Sequence, residues 1–285
     1  MPELPEVQTT VNGLNLKVKG RTIVDIKTTY NSVFYVGKQD IKNPKYFTEF
    51  KKRVVGKKII GVERRAKNIL IHLSGEETII AHMKMTGSFI YNRPDYPYIR
   101  LEFLLDNKKF LSFSDMRKFA RVCVEKTSEL ENSIHLANLG PEPLDPGFKF
   151  EDFILQLMKK PKGRIKQVLM DPSVIAGIGN IYSDEILWRA GVHPLSSPAK
   201  IPEKSLREMF KAVKETLEKG IELGGDSNVD YRNIDGERGS FQEHHRAYQQ
   251  TKKKCQKKNC NGIVERLVVG TRSAHFCPKH QKLFQ

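Results

Sequence analysis

Apolar residues recur along the chain with two different periods, and the change of period divides it. Val7, Val11 and Leu14 fall on one face of a helix that begins around Pro5 and stops at Gly20. Segments 22–29, 58–64, 68–73, 78–83, 99–105, 110–113 and 119–124 are short, rich in Ile, Val, Phe and Leu, and partly alternating, which predicts strands. Gly75-Glu76 and Asp106-Asn107 sit between strand pairs as turns. No helix-length segment separates these strands, so they pair antiparallel, as a sandwich or flattened barrel. From Lys149 the spacing becomes helical: Phe150, Phe153, Ile154 and Leu157; Ile165, Val168 and Leu169; Ile181, Ile186 and Leu187; Leu206, Met209, Phe210, Val213 and Leu217.

The pattern predicts an α+β chain of two domains with an appendage. An N-terminal β-sandwich with a leading helix occupies 1–132. Leu139–Gly147 carries three prolines in nine residues, so 133–148 is a linker. A helical domain runs over 149–225, the polar stretch 226–250 reads as a loop open to functional use, and 251–285 forms a small module.

Charge narrows the partner. Lys and Arg total 49 against 33 Asp and Glu, a formal +16, and such an excess calls for a polyanion. With no long basic amphipathic helix and no apolar run of about 18 residues, nucleic acid is favoured over a membrane surface. No signal peptide precedes the first helix, so an intracellular protein is expected.

Three of the four cysteines cluster as Cys255-x4-Cys260-x16-Cys277-x2-His280. Two close pairs separated by a hairpin-length segment supply three thiolates and an imidazole, the set a structural zinc ion takes. Gly262–Val269 supports a strand within that segment, and Lys252, Lys253, Lys254, Lys257, Lys258, Arg266 and Arg272 surround it, suited to phosphate.

At the other end, removal of Met1 would expose Pro2 as a secondary amine, a nucleophile whose α-amine class has a reference pKa of about 8. Glu3 and Glu6 follow at helical spacing, at the positive end of the helix. By itself the stretch reads first as a solvated terminus whose two acids complement the helix dipole. Gly177-Ile178-Gly179-Asn180 before a helix suits an anion, or a tight turn. Met85, Arg117 and Phe119 at strand ends, and Lys67 after Arg64-Arg65, have ordinary readings as core and surface residues.

Together these segments resemble the formamidopyrimidine-DNA glycosylase family along essentially the whole chain. The anchors are Met1–Val7, Arg64–Lys67, Met85–Ser88, Asp115–Phe119, Leu139–Leu144, Gly177–Tyr182 and the terminal cysteine hairpin. The resemblance implies a β-sandwich, a helix-two-turns-helix domain and a zinc finger, with double-stranded DNA carrying an oxidised base or abasic site bound between the domains by a monomer at the nucleoid. It implies Pro2 as the nucleophile on C1′, Glu3 as the acid that opens the sugar, Glu6 in support, Lys67 on phosphate and in β-elimination, and Arg272 in δ-elimination. Met85, Arg117 and Phe119 would refill the stack vacated by a flipped nucleotide, while Asn180 and Lys162 bind phosphate and 226–250 caps the extruded base. Oxidised purines are the expected substrates. The alternatives are a relative of the endonuclease VIII type acting on oxidised pyrimidines, against which Leu4 and the Arg117/Phe119 pair speak, and a non-catalytic zinc protein that binds damaged DNA. Four departures stand out: Tyr98 where the family has a phosphate-binding histidine, Pro161 interrupting the basic run near Lys162, His280 in place of a fourth cysteine, and the wider first ligand pair.

Overall fold

The computed structural model describes all 285 residues, and the chain divides into two compact units, Met1–Ala137 with Leu223–Ser240, and Asn138–Glu222 with Phe241–Gln285. No helix is long and apolar enough to cross a membrane.

The first unit opens with α1 (Leu4–Val18), whose buried Val7, Val11, Leu14 and Val18 form the stripe read from the sequence. Pro5 is the second helical residue, where its missing amide hydrogen has no intrahelical partner to lose. After β1 (Ile23–Thr28) comes α2 (Pro44–Val54), which the strand-dominated reading did not anticipate because basic residues mask its buried Phe50 and Val54. Its start is coded locally: the Asn43 side chain accepts from the Lys45 amide (3.2 Å) and Pro44 follows it.

Seven strands complete the unit: β2 (Ile59–Arg65), β3 (Asn68–Leu73), β4 (Glu77–His82), β5 (Gly87–Tyr91), β6 (Ile99–Leu105), β7 (Phe110–Asp115) and β8 (Arg121–Lys126). They form two antiparallel four-stranded sheets, β1-β6-β7-β5 and β2-β3-β4-β8. One core contains Ile26, Phe89, Phe103 and Phe113 of the first sheet, Val62, Ile71, Ile79 and Val122 of the second, and the α1 stripe. β5 was not expected. It begins at Gly87, where a Cβ would stand 2.6 Å from the Met83 carbonyl oxygen, so only glycine permits that approach.

The polar stretch after residue 225 contributes more to packing than its composition suggests. Ile234 is 3% exposed and belongs to the first unit's core, and its carbonyl accepts from the Tyr91 amide (2.8 Å). From Phe241 the chain packs in the second unit, where Phe241 stacks on Tyr182 with ring centroids 4.8 Å apart.

The second unit holds α3 (Phe150–Leu157), α4 (Ile165–Met170), α5 (Asn180–Ala190) and α6 (Glu203–Glu222). The α4–α5 connection is tight and apolar, burying Val174, Ile175, Ala176 and Ile178. Amphipathic α6 buries Leu206, Met209, Val213 and Leu217. A two-stranded hairpin, β9 (Glu265–Val269) and β10 (Arg272–Phe276), follows near the C-terminus, in agreement with the predicted α+β arrangement.

Replacing Ile234 with Ala should lower unfolding free energy by about 2–4 kcal/mol, the usual cost of truncating a buried isoleucine, measured by urea denaturation. A loss below roughly 1 kcal/mol would mean that 223–240 lies loosely on the sandwich.

Candidate functional site

The first turn of α1 is buried on all the residues that matter chemically. Met1 is 46% exposed, whereas Pro2 is buried, Glu3 is 3% exposed and Glu6 1%. Glu6, three residues into the helix from its Glu3 cap, reaches back so that Oε2 accepts from the Glu3 amide (2.7 Å), one half of a capping box. Its Oε1 accepts from the Asp226 amide (2.7 Å), and its carbonyl accepts from the Tyr231 hydroxyl (3.0 Å) and Thr10 Oγ1 (2.9 Å). Burial and the Glu6 charge raise the Tyr231 pKa, keeping that donor protonated. At Gly225 (φ +85°) a Cβ would lie 2.9 Å from Glu6 Cγ, so both the backbone conformation and the close approach demand glycine. The segment after α6 is thus tied directly to the helix start.

Lys67 lies in the β2–β3 turn, behind Ala66 at φ 54°. Asn15 of α1 clamps β2 by donating to the Val62 carbonyl (2.7 Å) and accepting from the Val62 amide (3.0 Å). Arg64 donates from Nε to Gln8 Oε1 (2.9 Å). These bonds fix β2, whose end leads to Lys67, along α1 from Gln8 to Asn15. A residue absent from the sequence reading joins here: His82, whose pKa burial and the charges of Lys84, Arg121 and Lys67 push down to about 3. It stays neutral, and its Nδ1 accepts from the Lys84 amide (3.0 Å). Nothing in its local sequence marks it, because the three cations come from different turns and strands.

Met85, Arg117 and Phe119 are brought together by one carboxylate. Asp115, fully buried at the end of β7, accepts from Thr86 Oγ1 (2.8 Å) at Oδ1, and from the Tyr30 hydroxyl and the Ala120 amide (both 2.9 Å) at Oδ2. Thr86 Oγ1 in turn accepts from the Arg117 amide (3.0 Å). Capture of the Ala120 amide explains why Phe119, read as the first residue of a strand, lies in a loop and the ladder starts at Arg121. Met85 and Phe119 are 37% and 53% exposed, with the Arg117 guanidinium 4.9 Å from the Phe119 ring centroid. Tyr98 is 52% exposed beside the same loop, its carbonyl accepting from the Asp115 amide (3.0 Å). Lys84, Tyr98 and Lys118 all adopt positive φ (52°, 59° and 58°), a conformation costing non-glycine residues roughly 1–2 kcal/mol each.

In the second unit Asn180 is the first residue of α5, after Gly179. Its Oδ1 is buried without a hydrogen bond, and its carbonyl accepts from Lys166 Nζ (3.3 Å). The residue brought to this helix start is therefore Lys166; Lys162 is exposed on the turn before α4. Lys166, 0% exposed, also donates to Asp184 Oδ1 (2.5 Å), and Asp184 Oδ2 accepts from the His275 amide (3.0 Å) and stands 2.9 Å from His275 Nδ1. α4, α5 and β10 are joined through this chain, which sets the hairpin carrying exposed Arg272. Glu185 accepts from the amides of Arg246, Ala247 and Tyr248, fixing that stretch to α5.

Cys255, Cys260, Cys277 and His280 place four ligand atoms within 4.8 Å of one another. Cys255 Sγ is 3.3 Å from His280 Nδ1, and the Cys260 and Cys277 sulfurs are 3.7 Å apart, close to the separation of about 3.7 Å that tetrahedral bonds near 2.3 Å require. His280 Nε2 lies 2.9 Å from the Trp188 carbonyl oxygen, to which it donates, leaving Nδ1 to face the cluster as an acceptor. The Trp188 indole N–H donates to Cys255 Sγ (3.3 Å) and the Gly262 amide to Cys260 Sγ (3.4 Å). These residues fit a four-coordinate metal ion.

Two family models match the chain: the formamidopyrimidine-DNA glycosylase N-terminal domain over residues 1–122 and the H2TH domain of the same enzymes over 139–231. A formamidopyrimidine-DNA glycosylase of Herpetosiphon aurantiacus is 38% identical over 281 residues, 98% of each chain. The chain belongs to the formamidopyrimidine-DNA glycosylase family. The Bacillus subtilis formamidopyrimidine-DNA glycosylase is 33% identical over 284 residues, 99% of each chain. Among solved structures, Lactococcus lactis Fpg in complex with DNA containing an abasic site superposes with a TM-score of 0.86 at 30% identity, over 98% of this chain and 99% of that one. The Thermus thermophilus protein gives 0.83 at 33% identity over the full length of both.

Replacing Asp115 with Ala would strand three donors. The variant should lose about 3 kcal/mol or more in urea denaturation, at roughly 1–3 kcal/mol per unsatisfied buried group. A loss under about 1 kcal/mol would show that the Met85 and Phe119 loops do not depend on this carboxylate.

Proposed function

We propose that this member of the formamidopyrimidine-DNA glycosylase family excises oxidised purines from duplex DNA and then cleaves the strand at the abasic site. The observation that carries the reading is the helix start, where Pro2, Glu3 and Glu6 are buried together and Glu6 is bound to the Glu3 amide. With Met1 removed, the Pro2 nitrogen is a secondary amine of the class that titrates near 8, so a useful fraction is unprotonated at neutral pH. Its lone pair attacks C1′; the glycosidic bond breaks, and the base leaves with the bonding pair and takes a proton. Glu3 protonates the ring oxygen as the sugar opens, leaving an iminium between Pro2 and C1′. Loss of a C2′ proton expels the 3′ phosphate, a second elimination expels the 5′ phosphate, and water releases Pro2.

Glu6 fixes the backbone that carries Glu3. Lys67 holds a phosphate and assists the first elimination; Arg272 serves the second. Extruding the damaged nucleotide costs a few kcal/mol of stacking, offset by Met85 filling the gap, Arg117 facing the orphaned base and Phe119 wedging between pairs. Asn180, Lys162 and Tyr98 contact phosphates, and the segment after residue 225 covers the extruded base. Zn2+ is the ion assigned to the hairpin cluster: three thiolates and an imidazole suit it, and with all four positions taken by protein its role is structural. The protein acts as a monomer on chromosomal DNA at the nucleoid.

A chain extended before Pro2 should bind lesion-containing duplex as the processed protein does, yet excise at the background rate and give no adduct on borohydride treatment. If the extended chain excised through a trapped Pro2 adduct, the mechanism would fall. On a panel of duplexes, 8-oxoguanine opposite cytosine should be removed at least about 10-fold faster than thymine glycol; the reverse order would assign the site to oxidised pyrimidines.

A further inference from the structure

On the face of the second sheet turned away from the core, β8 presents Arg121, Cys123 and Glu125, registered against His82, Ile80 and Thr78 of β4. The chain leaving β8 returns over this face. Ser133 is 5% exposed and its Oγ donates to Glu125 Oε1 (3.1 Å), while Leu136 is 8% exposed. Between them His135 places Nε2 4.0 Å from the same Glu125 oxygen. Cys123 is 1% exposed, and its thiol makes a 3.8 Å contact with the Ile80 carbonyl oxygen. One sulfur, one carboxylate oxygen and one imidazole nitrogen thus lie within 4.8 Å of one another.

We infer that Cys123, Glu125 and His135 form a second metal site, separate from the hairpin cluster, that takes a borderline-soft divalent cation of the zinc class. Direct hydrogen bonding does not account for the convergence: 4.0 Å is too long between imidazole and carboxylate, and a thiol is a weak donor. The donor types select the ion. A sulfur ligand excludes magnesium and calcium, which take oxygen, whereas zinc accepts Cys, His and carboxylate together at about 2.0–2.3 Å. Donors around such a centre stand roughly 3.3–3.8 Å apart, so small side-chain rotations would close the site.

The surroundings are partly prepared. Ser133 orients the Glu125 carboxylate, as outer hydrogen bonds do for metal ligands. Arg121 and Arg53 bring positive charge toward Cys123, and Asp40 and Glu125 bring negative charge. Burial outweighs these charges and pushes the Cys123 thiol up to about 12, so the ion must displace the thiol proton on binding, and its affinity rises with pH. Three protein ligands leave a fourth position for solvent or a small anion. Occupancy would staple the chain after β8 to a strand that starts two residues beyond Phe119.

The test is stoichiometry on the full-length protein with its hairpin cluster intact. Protein produced with Co2+ in place of zinc, so that the hairpin holds cobalt, and then dialysed to equilibrium against Co2+ in the presence of a competing chelator should give two equivalents per chain. Cys123→Ser and His135→Ala should each reduce this to one while retaining the strong sulfur-to-cobalt absorption of the three-thiolate hairpin. Glu125→Gln is expected to weaken the second equivalent by about 10-fold or more, and it replaces Cys123→Ser should that variant not fold. A single equivalent in the unsubstituted protein, or two equivalents surviving in both ligand variants, overturns the proposal.

Discussion

A buried carboxylate is tolerated only when its oxygens are hydrogen-bonded, and Glu6 meets that demand with two backbone amides from opposite ends of the first unit. One belongs to Glu3 and the other to Asp226, each at 2.7 Å. An isolated ionised group in an apolar surround would cost several kcal/mol or more, so neither partner can drift without penalty. The positive end of α1 adds to the hold. Because both donors are backbone, their positions are set by the path of the chain, and Gly225 is one consequence of that path. The geometry around Pro2 is therefore inherited from an electrostatic requirement four residues away.

The same device recurs where loops must be held in arrangements they would not choose. Asp115 fixes the Met85 and Phe119 loops from beneath, Asp184 joins Lys166 to the strand carrying Arg272, and Glu185 gathers three consecutive amides from 246–248. Each acid is nearly or wholly buried. In a chain of formal charge +16 these acids matter less for the balance of the surface than for geometry inside. Hydrogen bonds to charged acceptors are worth about 1.5–3 kcal/mol each, enough to offset the left-handed backbone at Lys84, Tyr98 and Lys118.

Local code was readable and long-range code was not. Alternation marked most of the strands, helical spacing marked α1 and α3–α6, and the spacing of Cys255, Cys260, Cys277 and His280 marked the metal cluster, because each signal lies within a few residues or within one hairpin. α2 escaped because lysines and an arginine cover its exposed face, and β5 because it is short and starts on a glycine. Tyr231 and Ile234 looked like residues of a polar loop; their burial depends on α1 and β5, far away in sequence. His82 and the Cys123–Glu125–His135 convergence had no legible signature, since a shifted imidazole or a three-residue ligand set exists only once strands and turns are assembled. Lys166, buried against the start of α5, likewise had no local signature, because its partners Asn180 and Asp184 lie on another helix.

The distribution of strain gives these loops a purpose beyond stability. Conformations that cost free energy persist only where the surroundings over-determine them, and three of the ten non-glycine residues at positive φ, Lys84, Tyr98 and Lys118, lie on or beside the turns that present Met85, Arg117 and Phe119. In the role proposed for these side chains, entry into a base stack gains from a rotamer and backbone already fixed, since each ordered residue otherwise costs about 1–2 kcal/mol of entropy at the moment of binding. Asp115 carries that cost into folding. Exposed Phe119 and Met85 are held in place by a buried acid that itself never meets solvent, so the rigidity of their placement is a property of the sandwich core and not of the loops that display them.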